Sequence, residues 1–390
     1  MASIPLRAGP ALLLLVTATL PGAETKKEKR APSPEALRTA TVAMGDVHGD
    51  LETFRVLLRK AGLIDARGRW SGGSRTLIQT GDVCDRGPGS RAVLDLLMTL
   101  EKEAAEAGGR VVVLMGNHEA MNVFGDLRYT TRGEFAAFAD EERPEVRILR
   151  REEILGLVRR GSPLLAGKYY RSLAASLNEK TFDDVFPPGF FAHRAAFSPD
   201  GRYGKWLLGR EAVHEEKRTL FVHGGLGPRF GAWNLDDLNR RIKRDLLEYL
   251  DLMTKLEELK VFHRDLGYTE LGNLLAAERA ARGPRGDLGP IFRKLEALSD
   301  GPLLAADGPF WYRGLALGRE AALAKHVERL LRVHDVDRIV LGHTTTASSR
   351  IETRFGKRVV LIDTGLNQDA FGGRPSALLL TREGGLEVLE

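Results

Sequence analysis

Six short apolar runs, each ending in a polar loop, constrain the fold of this chain more than any other feature of its sequence. They are TVAM (41–44), TLIQT (76–80), RVVVLM (110–115), RTLFV (218–222), RIVL (338–341) and RVVLI (358–362). Runs that are apolar at nearly every position are typical of strands buried on both faces. Amphipathic helical patterns separate several of them, at 51–62, 90–109 and 320–334. Strands that alternate with helices predict an α/β fold.

Two long stretches break this alternation. Residues 120–217 and 226–318 are rich in helical or irregular patterns, for example LNRRIKRDLLEYLDLMTKLEELK (238–260). We interpret both as insertions into one domain over 38–390, and we expect them to form a cap over the ligand-binding edge of the sheet. Peripheral helices without a role in substrate choice are the alternative interpretation.

The N-terminal segment has the pattern of a secretory signal peptide. Arg7 supplies a positive charge, ALLLLVTATL (11–20) an apolar core, and PGAE the small residues for cleavage. The apolar run is shorter than the roughly 20 residues that span a bilayer. We predict a signal peptide over 1–23, a flexible linker over 24–37 and an exported protein, periplasmic or secreted, with no stable membrane insertion after signal removal. An uncleaved anchor is the alternative, because Pro21 stands where Ala is preferred.

Charge and cysteine content exclude several other classes of protein. The formal net charge is only +5 and no long basic stripe is present, so nucleic acid is not a predicted partner. Cys84 is the single cysteine, so no disulfide can form within the chain. It lies in GDVCDRGPGS (81–90), where a cysteine-dependent phosphatase would need an arginine after a five-residue gap, but that position is Ser90. We therefore predict that Cys84 is a spacer and not a nucleophile.

Polar side chains with glycine beside them follow five of the predicted strands. In chain order these loops read GDVHG (45–49), GDVCDRG (81–87), GNHE (116–119), HGG (223–225) and GH (342–343). Ligands of open α/β sheets bind beyond the carboxyl ends of the strands, so we expect these side chains to meet there. Carboxylate, imidazole and amide ligands together suit Mn, Fe or Zn. Each motif is weak alone, but five in succession predict a metal site.

This ordered set of motifs resembles the metallophosphoesterases of the PPP protein-phosphatase type, and within that group the bacterial-like Shewanella-like phosphatases. The resemblance spans residues 41 to about 380 and implies a calcineurin-like β-sandwich flanked by helices, with a two-metal centre at the loops. The implied metal ligands are Asp46, His48, Asp82, Asn117, His223 and His343, with Asp82 bridging both ions. We interpret Glu119 as a structural residue at the start of a helix; the alternative is that it helps to orient a ligand.

The same resemblance implies catalytic and phosphate-binding roles. His118 resembles the general acid that protonates the leaving alkoxide, and Asp85 resembles the carboxylate that orients it. Arg86 and Asn117 are implied to bind the substrate phosphate. We assign a second phosphate-binding arginine to Arg313 in PFWYRG, because its aromatic neighbours suit a substrate rim.

These roles imply a metal-dependent phosphomonoesterase. Two cations clamp the phosphoryl oxygens, and a metal-bridging hydroxide attacks phosphorus directly without a covalent enzyme intermediate. The expected substrate is a phosphorylated protein or peptide; specificity for Ser/Thr or Tyr, the metals present and the oligomeric state are left open. One alternative is a symmetric diadenosine-polyphosphate hydrolase, because RGPGS (86–90) resembles those enzymes. The other is a catalytically silent binding protein, which the full set of ligands disfavours.

Overall fold

All six predicted strands are present in the computed structural model, which describes residues 31–161, 168–280 and 288–390. The strands in these ranges are Thr41–Met44 (β1), Thr76–Gln79 (β2), Arg110–Val113 (β3), Val213–Glu216 (β4), Thr219–Val222 (β5), Arg338–Leu341 (β6), Glu352–Arg354 (β7), Val359–Leu361 (β8), Ala377–Leu380 (β9) and Leu386–Leu389 (β10). The predicted strands are β1, β2, β3, β5, β6 and β8. Sequence patterns missed the other four strands.

The predicted helices at 51–62, 90–109 and 320–334 are also present, each slightly shorter than expected. The helices are Pro34–Thr39 (α1), Leu51–Lys60 (α2), Ser90–Glu106 (α3), Asn117–Phe124 (α4), Arg132–Ala136 (α5), Pro144–Arg160 (α6), Lys168–Ser176 (α7), Phe182–Val185 (α8), Phe190–Phe197 (α9), Arg202–Leu207 (α10), Leu235–Glu258 (α11), Gly267–Ala280 (α12), Leu288–Ser299 (α13), Gly314–Leu317 (α14), Glu320–Val333 (α15) and Gln368–Phe371 (α16), with a 3₁₀ helix at Arg264–Leu266.

The strands form two five-stranded sheets. Their orders are β10-β9-β1-β2-β3 and β4-β5-β6-β8-β7. In the first sheet β1, β2 and β3 run parallel, and in the second β5, β6 and β8 run parallel. The other strands pair antiparallel: β9 with β1 and with β10, β4 with β5, and β7 with β8. The carboxyl ends of the parallel strands in each sheet therefore lie at one edge of that sheet.

Alternate side chains of the strands fill the space between the two sheets. This inner core contains residues from both sheets, namely Ala43, Ile78, Leu114, Phe221, Val340, Val360, Ile362, Leu378 and Leu380. The opposite faces pack against helices in a second, larger core; for example, Val42 and Leu77 lie in one cluster with Phe54 and Leu97. Burial on both faces explains why the strands have nearly continuous apolar runs. The predicted α/β sandwich flanked by helices is confirmed.

The two long stretches between strands are largely helical. Residues 120–217 hold most of α4 and all of α5 to α10, and residues 226–318 hold α11 to α14. Strand β4, however, lies at the end of the first stretch and pairs with β5, so this part belongs to a sheet. The stretches contact each other through α11 and α4 and through α12 and α7. Their action as a cap over the active site stays a prediction.

The predicted linker over 24–37 is wrong at its C-terminal end, where helix α1 begins at Pro34. Ser33 caps this helix, because its Oγ accepts a hydrogen bond from Ala36 N at 3.1 Å. Ser33 also ties the helix to the sheet, because its N and Oγ donate to the Glu387 carboxylate at 2.7 and 3.0 Å. A serine followed by proline is typical of linkers, but the same pair is also a common helix start.

The predicted signal peptide over 1–23 lies outside the described residues, as do residues 24–30. None of the helices in the described ranges combines the length and the apolar composition of a membrane-spanning helix. Export to the periplasm or medium therefore stays a prediction.

Candidate metal centre and active site

Hydrogen bonds donated by backbone N–H groups join several of the five polar loops. The N–H groups of Val47 and His48 donate to Asp82 O at 2.9 and 3.0 Å, which joins the loop after β1 to that after β2. In the second sheet, Gly342 N donates to His223 O at 2.9 Å. The two sheets meet where His343 N donates to the Asp46 carboxylate at 3.0 Å. Loops from both sheets thus form one cluster.

Five predicted site residues have a left-handed backbone conformation. The φ angles are 48° for His48, 55° for Asp82, 68° for Asp85, 66° for Arg86 and 64° for His343. Non-glycine residues in sparsely populated backbone regions cost about 1–3 kcal/mol each and cluster at functional sites. Their concentration in these loops indicates that the backbone is shaped to aim side chains into the cluster.

The Asp82 carboxylate lies at the centre of the cluster. Its Oδ2 lies 3.2 Å from His223 Nε2, 3.7 Å from His118 Nε2 and 3.8 Å from His48 Nε2. Asp82 is only 2% exposed. A side chain on Gly116 would collide with it, since a Cβ there would lie 2.3 Å from Asp82 Oδ1. The glycine of the GNHE loop is therefore needed for the close approach of this carboxylate.

The surroundings of His223 fit a cation. Its Nδ1 donates to Thr80 O at 2.9 Å, because a carbonyl oxygen can only accept, so Nε2 of the neutral ring carries a lone pair. That nitrogen lies 2.9 Å from Asn117 Oδ1, 3.2 Å from Asp82 Oδ2 and 3.1 Å from His343 Nδ1. Two oxygen acceptors and this lone pair thus converge on one point, beside the Nδ1 atom of His343. A bound metal ion would satisfy all of them.

His48 presents a second lone pair to the same space. Its Nδ1 donates to Cys84 O at 2.9 Å, which leaves Nε2 unprotonated in the neutral ring. Nε2 lies 3.8 Å from Asp82 Oδ2 and 3.9 Å from Asp46 Oδ2. Burial, and then the neighbouring His118, lowers the pKa of His48 to about 4, so the ring is neutral near pH 7.

Several carboxylates are buried together in this cluster of predicted ligands. Burial, followed by the neighbouring carboxylates of Asp363 and Asp82, raises the pKa of Asp46 well above its usual range. Asp363 was not among the predicted site residues, although it follows β8 as Asp46 follows β1. Its carboxylate accepts from Thr345 Oγ1 at 2.8 Å and from Gly365 N at 3.0 Å. Acids this close repel each other unless cations lie between them.

The described residues contain two groups that could hold metal ions, and Asp82 belongs to both. The first group contains His48, Asp82 and His118, and the second contains Asp82, His223 and His343. Within each group the ligand atoms lie within 4.8 Å of one another. The groups contain four of the six predicted ligands; of the other two, Asn117 lies 2.9 Å from His223 and Asp46 lies 3.9 Å from His48. The chemistry of these six side chains fits borderline divalent metals. The assignment of each ligand to a particular ion stays a prediction.

His118 is held by the predicted orienting carboxylate. Its Nδ1 lies 2.6 Å from Asp85 Oδ2, while Asp85 Oδ1 accepts from Asn122 Nδ2 at 3.0 Å and from Thr130 Oγ1 at 2.8 Å. Burial would lower the pKa of His118, but the carboxylates of Asp82 and Asp85 raise it to about 9. A charged imidazole held in this way can donate a proton from Nε2.

Asn122→Ala tests the support of Asp85. Removing the amide frees one oxygen of the carboxylate that aims His118, so we expect kcat to fall by about 10- to 100-fold. Metal content should not change, because Asn122 contacts no predicted ligand through its side chain. The exposed Asn273 provides a matched control for the same substitution. Unchanged turnover of Asn122→Ala would contradict this role.

Glu119 holds the loop that carries Asp82. Its carboxylate accepts from Asp82 N at 2.7 Å, Val83 N at 2.9 Å, Cys84 N at 3.1 Å and Gly116 N at 2.8 Å. Glu119 is completely buried and satisfies four backbone donors, including Gly116 N at the start of α4. These contacts agree with both interpretations of Glu119, because it accepts from the backbone at the start of α4 and also from the backbone of Asp82, a predicted metal ligand.

A second buried glutamate supports the other end of the same loop. Glu134 Oε1 accepts from Asp85 N at 2.9 Å and from Ser90 Oγ, and its Oε2 accepts from Thr131 N at 2.7 Å. Thr131 and Glu134 form a capping box at α5. That motif was readable in the sequence. The contact of Glu134 with Asp85, which is far away along the chain, could not be recognised in the sequence.

Cys84 has the surroundings of a neutral thiol. The side chain is 1% exposed, and burial, then the Glu119 carboxylate, raises its pKa well above the usual range. The backbone of Cys84 contacts the site through the bond from His48 to its carbonyl. The prediction that this residue is a spacer agrees with this geometry, because nucleophilic cysteines need a depressed thiol pKa.

Cys84→Ser is accordingly expected to keep both metal content and kcat/KM near those of the wild-type protein. The substitution leaves the backbone contacts in place and removes only a buried thiol. Hydrolysis of an aryl phosphate and metal analysis check this result. A dead enzyme with full metal content would instead make the thiol part of the chemistry.

Arg86 lies at the mouth of the cluster between two aromatic rings. Its guanidinium carbon lies 4.5 Å from the Tyr129 ring centre and 5.3 Å from that of Phe371. The ring centre of Tyr129 also lies 5.1 Å from that of His118, and the ring centre of Phe371 lies 5.2 Å from that of His48. The Arg86 side chain is exposed, so its planar donors can reach a phosphate at the site.

Arg313 lies next to the last of the five polar loops, which contains His343. Its Nη1 donates to His343 O at 2.9 Å and to Thr344 Oγ1 at 3.0 Å. The neighbouring Trp311 packs edge-on to His343, with 6.2 Å between ring centres. The structure thus brings Arg313 beside a predicted ligand. Its role as a second phosphate-binding arginine stays a prediction.

The two-sheet α/β sandwich and the histidine–carboxylate cluster at its strand ends define a metallophosphoesterase. A family model for calcineurin-like phosphoesterases matches residues 40–346, and the chain belongs to this family.

Several relatives have similar sequences. Shewanella-like protein phosphatase 2 of Arabidopsis thaliana is 36% identical over 220 residues, which cover 55% of this chain and 53% of that protein. The match thus spans about half the length of that relative. An uncharacterised protein of Schizosaccharomyces pombe is 28% identical over 90% of this chain and 80% of its own. Shewanella-like protein phosphatase 1 of Plasmodium berghei is 23% identical over 86% and 69%, respectively.

Solved structures show the same fold. A cold-active protein-tyrosine phosphatase from a psychrophilic Shewanella species is 22% identical, with a TM-score of 0.55 over 94% of this chain and 89% of that chain. A second structure of a cold-active protein tyrosine phosphatase is 24% identical, with a TM-score of 0.57 over 92% and 83%. At these identities the likeness shows the fold, and it confirms the predicted calcineurin-like sandwich.

Proposed function

We propose that this protein is a dinuclear-metal phosphomonoesterase that acts on phosphorylated proteins or peptides. The observation that carries the proposal is the convergence of Asn117 Oδ1 and Asp82 Oδ2 on His223 Nε2, at 2.9 and 3.2 Å. The names of two relatives as protein phosphatases support the substrate class.

Each part of the cluster has a role in this reaction. Two metal ions in such a site polarise the phosphoryl oxygens and supply a nucleophile from water. Arg86 binds the phosphate through paired charge-assisted hydrogen bonds. His118 donates its Nε2 proton to the leaving oxygen, and Asp85 keeps the ring charged and oriented through Nδ1. No residue of the chain needs to form a covalent intermediate.

Hydrolysis of matched phosphopeptides tests the substrate class. The purified protein, loaded in turn with Mn, Fe or Zn, is given one peptide sequence phosphorylated on Tyr or on Thr, and inorganic phosphate is measured. We expect hydrolysis of at least one peptide. Inertness towards both, together with symmetric cleavage of a diadenosine polyphosphate, would instead assign the alternative nucleotide substrate.

Arg86→Ala tests the predicted phosphate contact. Loss of one charge-assisted donor to the transition state should lower kcat/KM by about 10²-fold. Arg67→Ala, at an exposed turn away from the site, is the matched control. Metal content of both variants should equal that of the wild-type protein. An Arg86→Ala enzyme with unchanged kcat/KM would remove this residue from the proposed mechanism.

We also propose that the protein is exported, on the basis of the N-terminal charge and apolar run alone. Fractionation of bacterial cells that express the full chain, compared with a chain lacking residues 1–23, tests this. Retention of both forms in the cytoplasm would refute it.

A further inference from the structure

The Arg86 side chain is an exposed cation at the mouth of the metal cluster, and its guanidinium has no hydrogen-bond or ion-pair partner among the described residues. Arg313, by comparison, is held by hydrogen bonds, because its Nη1 donates to His343 O at 2.9 Å and to Thr344 Oγ1 at 3.0 Å. A long side chain that must be immobilised when a ligand binds loses rotamer freedom, which weakens binding. A phosphate therefore gains most from Arg86 if other contacts already hold the guanidinium in place.

Two aromatic rings supply such contacts. The Arg86 guanidinium carbon lies 4.5 Å from the ring centre of Tyr129 and 5.3 Å from that of Phe371, within the distance of about 6 Å at which a ring face attracts a cation. A ring face contains no acceptor oxygen, so it leaves the N–H donors of the guanidinium unused. A carboxylate partner would occupy these donors and offset the positive charge that attracts a phosphate. We call Tyr129 and Phe371 the aromatic clamp.

Tyr129 is tied to the loop after β2, which carries the arginine. Its carbonyl accepts from Arg86 N at 3.0 Å, and the next residue, Thr130, donates through Oγ1 to Asp85 Oδ1 at 2.8 Å. The Tyr129 ring also packs against the imidazole of His118, with 5.1 Å between ring centres. Hydrogen bonds on both sides of this ring therefore keep it beside the guanidinium.

Phe371 is tied to a different part of the site, the loop after β1. It is the last residue of α16, and Asn367 caps this helix, because its Oδ1 accepts from Ala370 N at 3.0 Å. The Asn367 amide also donates to His48 O at 2.7 Å, and the Phe371 ring lies 5.2 Å from the His48 ring. Since the rings of His48 and His118 lie only 4.8 Å apart, both halves of the clamp border the metal cluster.

We propose that Tyr129 and Phe371 are positioning residues, which hold the Arg86 guanidinium at the mouth of the metal centre with its N–H donors free for an incoming phosphate. The inference rests on the proposed phosphoesterase function, because it assigns Arg86 to the phosphate of the substrate. The clamp acts through the arginine and not by contact with the reacting atoms. Loss of either ring frees the side chain, which then has to be ordered each time a phosphate binds.

Isothermal titration calorimetry of the Mn-loaded protein with inorganic phosphate measures this effect without turnover. Tyr129→Leu and Phe371→Leu keep an apolar side chain but remove the ring face. Each should weaken phosphate binding by about 2- to 5-fold, the range of a cation–π contact at an exposed site. Tyr129→Phe and Phe371→Tyr retain the ring and should bind phosphate as the wild type does. The Tyr129 side chain is exposed, so its variants are expected to fold.

Phe230→Leu is the matched control. It removes a ring whose centre lies 5.1 Å from the guanidinium carbon of another arginine, Arg229. That arginine already donates to the carboxylates of Asp300 and Asp307, each at 2.8 Å. Phosphate binding by Phe230→Leu should therefore equal that of the wild-type protein.

A double-mutant cycle with Arg86→Ala separates positioning of the arginine from other effects of the rings. Without the guanidinium, neither Tyr129→Leu nor Phe371→Leu should weaken phosphate binding further. The value of kcat/KM for an aryl phosphate should follow the same pattern, with metal content unchanged in every variant. A loss of equal size in the presence and absence of Arg86 would show that the rings act through the neighbouring imidazoles or the fold, and would overturn the clamp.

The clamp would also be overturned if both leucine variants bound phosphate as tightly as the wild type, or if the wild-type protein bound no phosphate. Failure of Tyr129→Phe and Phe371→Tyr to restore binding would contradict a role for the ring faces. A wild-type protein that hydrolyses no phosphate ester, but shows the expected pattern of phosphate binding, would refute the proposed function and leave the clamp as part of an anion site.

Discussion

Asp82→Asn is expected to lose metal and hydrolytic activity together. Asp82 Oδ2 faces three imidazoles, at 3.2 Å from His223, 3.7 Å from His118 and 3.8 Å from His48, and the carboxylate belongs to both candidate metal groups. Asparagine keeps the size of the side chain but removes the negative charge that both candidate metal groups share. Metal ions contribute several kcal/mol of charge stabilisation in the transition state, so we expect turnover to fall by about 10³-fold or more.

Metal analysis of the purified variant and hydrolysis of an aryl phosphate check this prediction. Asp140→Asn, at an exposed carboxylate near Arg91, makes the same chemical change outside the cluster and should leave both quantities unchanged. Full metal content or full activity in Asp82→Asn would overturn the central position of this carboxylate in the site.

His118→Asn is expected to keep the metals but lose turnover. The ring is tied to Asp85 through Nδ1 at 2.6 Å, which leaves Nε2 available for the proposed transfer of a proton to the leaving oxygen. General acid catalysis contributes about 10²- to 10⁴-fold to a rate, and we expect a loss of kcat in that range. The loss should be smaller for aryl phosphates with good leaving groups, because these need less help from a proton.

The metal content of His118→Asn decides between two roles for this residue. His118 also lies in one candidate metal group, with His48 and Asp82. Loss of one metal per chain would reassign it as a ligand, while full metal content with low kcat supports the general acid. His214→Asn, outside the cluster, is the matched control and should behave as the wild type in both measurements.

The parallel strands and the loops that follow them could be predicted from the sequence, because the signal lies within each strand itself. Strands such as β1 and β6 are buried on both faces, so nearly every residue in them is apolar. Short or polar strands carry no such signal; β4 and β7 lie at the edges of their sheet and have exposed residues. Strand β9 is apolar, but it follows a loop-like segment and pairs antiparallel with β1, and that partnership depends on residues far apart in the chain.

The motif residues of the site were likewise readable, since each follows a strand directly and carries a side chain that binds metal or moves a proton. This chemistry, and the order of the loops that hold it, can be read from the sequence alone. The contacts that support the motifs are visible only in the folded chain: Asp363 lies beside Asp46, Glu134 accepts from the backbone of Asp85, and Asn122 lies between Asp85 and Arg194. Such contacts join residues that are distant in sequence, and a hydrogen bond to a remote partner leaves no periodicity or composition in the residues around it.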